Sequence, residues 1–245
     1  FASKIGERLA ERKFSVSINP TGILFNPASI ASAVERIEAK KLVTADDVFN
    51  SDGRWLSYDF HSSLSGATEG EAVDVINSQI VSSNELLKRA NCLIITLGTA
   101  WVYRLSSSGK VVANCHKQPH SAFRRELLSV GEIVENLERI AACTRAPTVL
   151  TVSPIRHLGE GLADNSLSKA LLRVAVEEFR KRHAERITYF PSYEIMLDDL
   201  RDYRFYGDDL VHPTTMAVDY IAEKFFGAAT SANTKQQTEE ISKIV

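Results

Sequence analysis

Apolar residues along this chain of 245 residues recur with two periods, and each period predicts an element. "FASKIGERLAERKF" (1–14) sets Ile5 and Leu9 four apart with charges between them, which predicts an amphipathic helix. "FSVSINP" (14–20) alternates and stops at Asn19-Pro20, the pattern of a short strand and a breaker. Helical period returns over 28–39 through Ile30, Val34 and Ile37. Residues 50–68 are polar, aromatic and Ser/Gly-rich, an irregular excursion, and a helix is expected over 69–89. "CLIITLG" (92–98) is an unbroken apolar run ended by Gly98, as in a strand buried on both faces of a parallel sheet. "WVYRLSSSGKVVAN" (101–114) reads as a hairpin. A helix over 129–143, the buried strand "TVLTVSP", a helix near 165–183 and the strand "ITYFP" follow. A loop holding Asp209 and His212 then leads into a last helix.

Helices alternating with short apolar strands predict an α/β fold: a doubly wound, mostly parallel sheet with helices on both faces and a β-hairpin insertion. The expected domain spans 1–227, and residues 228–245 read as a polar tail. In such sheets sites form beyond the carboxyl ends of strands. Asn19 to Gly22, Gly98 and Thr99, and Ser153 to His157 occupy such positions, and the Asp209/His212 loop is expected to join them.

Composition narrows the chemistry. Lys+Arg 29 against Asp+Glu 31 gives a net charge of −2, which argues against a general nucleic-acid partner. No apolar run approaches the roughly 18 residues of a membrane span, and none reads as a signal peptide. Cys92, Cys115 and Cys143 are widely spaced with no CxxC, which points to a reducing, cytoplasmic setting. No His/Asp/Glu cluster has metal-ligand spacing, and neither phosphate-binding glycine motif occurs, so no metal and no nucleotide cofactor is expected.

The sharpest motif is "DDLVHP" (208–213) ahead of a helix. Pro213 biases His212 away from helical dihedrals, and a tight turn lets Asp209 reach back to the imidazole. Such a bond would fix the tautomer and leave the other ring nitrogen to take a proton from a nucleophile. The plain alternative is that Asp209 caps the turn and His212 packs.

Here the chain resembles the GSCFA family. "FASKIGERLAE" looks like the continuation of the Gly-Ser-Cys-Phe-Ala motif, and "NPTGILFNP", "LIITLGTAWVY", "VVANCHK", "TVSPIRHL", "YFPSYEIMLDDLRDYRFY" and "DDLVHP" match the family pattern in order from residue 1 to about 226. That family is similar to the SGNH, or GDSL-like, hydrolases. The resemblance implies a serine esterase or acyltransferase acting on a small-molecule, carbohydrate or lipid ester, with Asp209 and His212 as two members of a triad. Phe1 and Ala2 match the last two letters of the motif, so the resemblance places the serine, and the strand that carries it, ahead of residue 1. SGNH enzymes set an oxyanion-hole Asn two residues after a strand-ending Gly; "GTAW" puts Ala100 there. Gly22, Gly98 and Asn114 are the candidates for an oxyanion hole, and Thr99, His116 and His157 for substrate binding. The competing reading is a binding or scaffolding module that keeps the fold without the chemistry.

Overall fold

The computed structural model describes residues 1–242. Its centre is a parallel sheet of β3 (Leu93–Leu97), β7 (Thr148–Val152) and β8 (Ile187–Tyr189), in the order β3-β7-β8. The register sets Leu93 opposite Thr148 and Thr148 opposite Ile187, so all three carboxyl ends lie along one edge.

The apolar runs predict strands without alternation, and burial on both faces is the reason. Ile95, Leu97, Leu150, Val152 and Ile187 face one core, with α2 (Pro27–Glu38), α4 (Val130–Ala142) and α5 (Leu162–Arg182) laid over them. Ile94 and Val149 point the other way, into a second core built by α1 (Ala2–Glu11), α7 (Thr215–Ala229) and Met196. Met196 belongs to a π-helical stretch (Ile195–Leu200) that continues α6 (Ser192–Glu194). The protein is thus a mixed α/β structure with helices on both faces of the sheet.

A smaller antiparallel sheet holds the hairpin. β4 (Trp101–Leu105) pairs with β5 (Val111–Val112) on one side and with β6 (Phe123–Leu127) on the other. The Asp52-Gly53 turn, with both residues at positive φ, joins β1 (Phe49–Ser51) to β2 (Arg54–Leu56). These two strands sit against α3 (Glu69–Arg89), whose Ile76 and Ile80 form a third core with Phe60.

Two expectations are corrected. "FSVSINP" is not a strand: its residues pair with no neighbour, and Val16 and Ile18 are each 37% exposed. Alternation of apolar residues cannot make a strand without an adjacent ladder, and among the described residues no strand pairs with the free edge of β3. Residues 50–68 are not wholly irregular, since they contain the end of β1 and all of β2. The polar segment 228–245 is helical in its described part: α7 runs to Ala229 and α8 (Ala232–Ser242) follows. Ser231 starts α8 by accepting the Thr234 N–H on its hydroxyl, and Ala, Lys, Gln and Glu suit a helix even without an apolar stripe.

Candidate active site

The Asp209–His212 turn is built locally. Leu210 between them has φ +56, in the left-handed region, which folds the chain back on itself at a cost of roughly 1–2 kcal/mol. Asp209 Oδ1 then accepts the main-chain N–H groups of Val211 at 2.9 Å and His212 at 3.0 Å. Its other oxygen, Oδ2, accepts from His212 Nδ1 at 2.6 Å. The His212 N–H, then the imidazole, then the Val211 N–H hold the carboxyl down at about 2. Both side chains are open to solvent, His212 62% and Asp209 51% exposed. With Nδ1 engaged by the carboxylate, Nε2 is the nitrogen left to handle a proton.

Tertiary bonds fix the loop to the carboxyl edge of the sheet. Gly207 donates its N–H to the His212 carbonyl at 2.8 Å, and Tyr206 bridges to Pro213. From the segment after β7, Arg156 donates its main-chain N–H to Val211 O at 3.3 Å and its guanidinium to Leu210 O at 3.2 Å. The same guanidinium lies 3.9 Å over the Tyr206 ring.

His157 follows. Its main-chain N–H donates to Asn165 Oδ1 at 2.9 Å, and its ring stands edge-on to Phe25, centroids 5.7 Å apart. Burial first, then the charge of Lys169, then His212 lower its proton affinity to about 4, so the ring is neutral at pH 7. Gly98 completes the corner: a Cβ there would meet Phe25 O at 3.0 Å and His157 Nε2 at 3.3 Å. Only a residue without a side chain lets these three come so close.

Beneath them lies Lys169, 1% exposed, on the apolar stripe of α5. Its ammonium donates to Gly98 O at 2.6 Å and Ser153 O at 2.8 Å, tying the ends of β3 and β7 together. Burial lowers its proton affinity to about 7. The main-chain nitrogen of Phe1 lies near Lys169. The start of α1 is therefore at this site, and no side chain caps that helix. Ser3 in its first turn accepts from Asn19 Nδ2 at 2.8 Å, which draws the Asn19–Gly22 turn to the same place.

The remaining sequence-derived residues divide. The sequence points to Gly22 and Gly98 as main-chain donors to an oxyanion; in the structure the Gly22 N–H donates to Asn19 O at 2.8 Å and the Gly98 N–H to Phe25 O at 2.7 Å. Both donors are already engaged. Thr99 is buried, its hydroxyl shared with Ser168 at 3.0 Å and accepting the Trp101 N–H at 3.1 Å. Asn114 and His116 stand with residues 57–61: both Ala113 and Asn114 donate to Tyr58 O, Asn114 Oδ1 accepts the His116 N–H, and His116 Nε2 donates to Ser57 O at 2.8 Å. His61 links that layer to the Gly22 turn by donating its N–H to Thr21 O. Ala100, where a carboxamide would be expected, is fully buried in the core.

Sequence reasoning did not single out Lys169, Phe25 or Asn165. One signal was present: Lys169 falls on the stripe Leu172, Val176, Phe179, where a charge has no reason to sit unless polar partners await it.

Fold and site define a class, an α/β protein with a paired aspartate and histidine at the carboxyl edge of a parallel sheet. The chain belongs to the GSCFA family, whose sequence profile matches residues 1–225. No curated protein and no solved structure matches it.

Proposed function

We propose that this is an SGNH-like serine esterase or acyltransferase in which Asp209 and His212 serve a serine carried ahead of Phe1. The observation that carries the reading is the 2.6 Å bond from His212 Nδ1 to Asp209 Oδ2, in a loop tied to the strand ends and close to the start of α1. In the reaction the serine hydroxyl attacks the acyl carbon while His212 Nε2 takes its proton, and the carbonyl π pair moves to oxygen. Collapse of the tetrahedral species expels the alcohol, which leaves with the proton from His212. Water or a second alcohol then takes the acyl group by the same steps in reverse. The substrate class is an ester of a small molecule, a carbohydrate or a lipid, and no step calls for a metal or nucleotide. Unpaired N–H groups at the start of α1 favour the negative charge that develops there.

The same proposal accounts for the free edge of β3. A strand ahead of Phe1, feeding α1, would pair with that edge and give the sheet its doubly wound order. The half-exposed setting of the pair and the buried Ala100 favour the second reading, a binding module that keeps the turn without the chemistry. A fluorophosphonate probe separates the two. Under the first reading it labels a serine just ahead of Phe1, and His212→Ala abolishes labelling. A folded protein that carries this serine and stays unlabelled would refute the enzyme.

A further inference from the structure

Acyl transfer at this site needs donors aimed at the oxyanion, and the obvious candidates are committed elsewhere. Gly22 and Gly98 have their N–H groups bonded to carbonyls, Thr99 is shared between Ser168 and Trp101, and Ala100 has no polar side-chain atom and gives its N–H to Ser168 Oγ. His157 differs from all of them. It is half-buried, yet among the described residues neither of its ring nitrogens has a hydrogen-bond partner. Its backbone is fixed by Asn165 and its ring is wedged against Phe25. Nε2 lies across the mouth of β3, 3.3 Å from where a Gly98 Cβ would stand. The titratable groups that face it are Lys169 from α5 and His212 from the loop before α7. A buried, neutral imidazole is a poor base and a good N–H donor.

We propose that His157, through Nε2–H, is the side-chain donor of the oxyanion hole, filling the role that a carboxamide two residues beyond Gly98 would otherwise take. This rests on the reading of Asp209 and His212 as members of a serine triad. Lys169 is then a positioning residue. It holds the Gly98 and Ser153 carbonyls and so fixes the two strand ends between which His157 projects.

The test uses protein that includes the residues ahead of Phe1. Hydrolysis of p-nitrophenyl acetate is measured for wild type, His157→Phe, which keeps the ring but no N–H, and His157→Gln, which restores a donor. The expectation is a kcat fall of about 10²–10³-fold in His157→Phe, with KM nearly unchanged, and partial recovery in His157→Gln. Phenylboronic acid, which binds the serine as a tetrahedral anion, should lose affinity in the same order. Should His157→Phe fail to fold by thermal unfolding, His157→Ala takes its place. An unchanged kcat, a change in KM alone, or a folded glutamine variant no better than phenylalanine would overturn the inference while fluorophosphonate labelling still upholds the triad. Absence of labelling in wild type overturns both.

Discussion

Replacing Lys169 by methionine probes the part of the site that lies deepest. Lys169 is 1% exposed and has no carboxylate among its bonded partners, only the carbonyls of Gly98 and Ser153. Burial takes its proton affinity from 10.5 to about 7. At about 1.4 kcal/mol for each tenfold change, that drop equals about 5 kcal/mol of penalty on the charged form. The two carbonyls favour the ammonium and pull the other way, so the figure is an upper bound. Between about pH 7 and 10.5 the unfolded chain binds a proton that the folded chain does not. Stability of the wild type therefore rises with pH across that window, fully gained above 10.5 and lost as pH falls to about 7.

Methionine has no such dependence, but it leaves two buried carbonyls without donors, at roughly 1–3 kcal/mol each. The stability difference, wild type minus variant, should widen with pH by up to about 4 kcal/mol between pH 7 and 10. Urea unfolding of both proteins at several pH values in that range measures it. Cysteines and tyrosines titrate in both proteins and cancel in the difference. Parallel curves would refute the reasoning, because they would mean that Lys169 keeps its proton in the folded state.

Two further outcomes follow from the geometry. The Asp209 carboxyl, followed by carbon NMR, should titrate near 2 in the folded chain, so its bonds persist at neutral pH and are lost only as pH falls through that value. In His212→Ala the titration should stay depressed, because the main-chain N–H groups of residues 211 and 212 remain; a return to 3.8 would show that the imidazole alone was responsible. Gly22→Ala should be severe, since φ is +78 and the new Cβ would lie 2.1 Å from His61 Cβ. A loss of at least about 2 kcal/mol, roughly 4–8 °C in Tm, is expected. Gly53→Ala, at the same φ in open space, should lose much less, and equal losses would rule out the clash.

What was legible in the sequence was whatever is decided locally. "CLIITLG" and "TVLTVSP" read as buried strands because helices cover both of their faces, and the hairpin at 101–114 announced its own turn. β6 escaped notice because "FRREL" is an edge strand that carries Arg124, Arg125 and Glu126 outward, a charge pattern that guards an open edge and looks like a loop. The β1–β2 hairpin could have been found from its Asp-Gly pair. The opposite error arose at "FSVSINP", where local alternation was right and no neighbour exists among the described strands to make it count. The state of the Gly98 N–H was not legible for the same reason: whether it is free depends on Phe25 O, seventy-odd residues away in sequence.

That division bears on how much the dyad itself proves. Asp209 bonding the N–H groups two and three residues ahead is what an ordinary Asx turn does, and Leu210 at positive φ only tightens it. A histidine at the third position of such a turn can reach the carboxylate with no help from the rest of the fold. The turn thus forms the 2.6 Å bond locally, and its place in the fold is set by longer-range contacts. What a bland loop would not require is the long-range part: Arg156 anchoring the carbonyls of Leu210 and Val211, an unpartnered imidazole at His157, and a lysine buried under Gly98. Polar groups withdrawn from water cost stability, and here the segment after β7 and α5 both carry them to one corner of the sheet. A fold selected for stability alone would have placed an aliphatic residue at 169. These groups, set around the dyad that carries the enzymatic reading, are what an isolated Asx turn would not need.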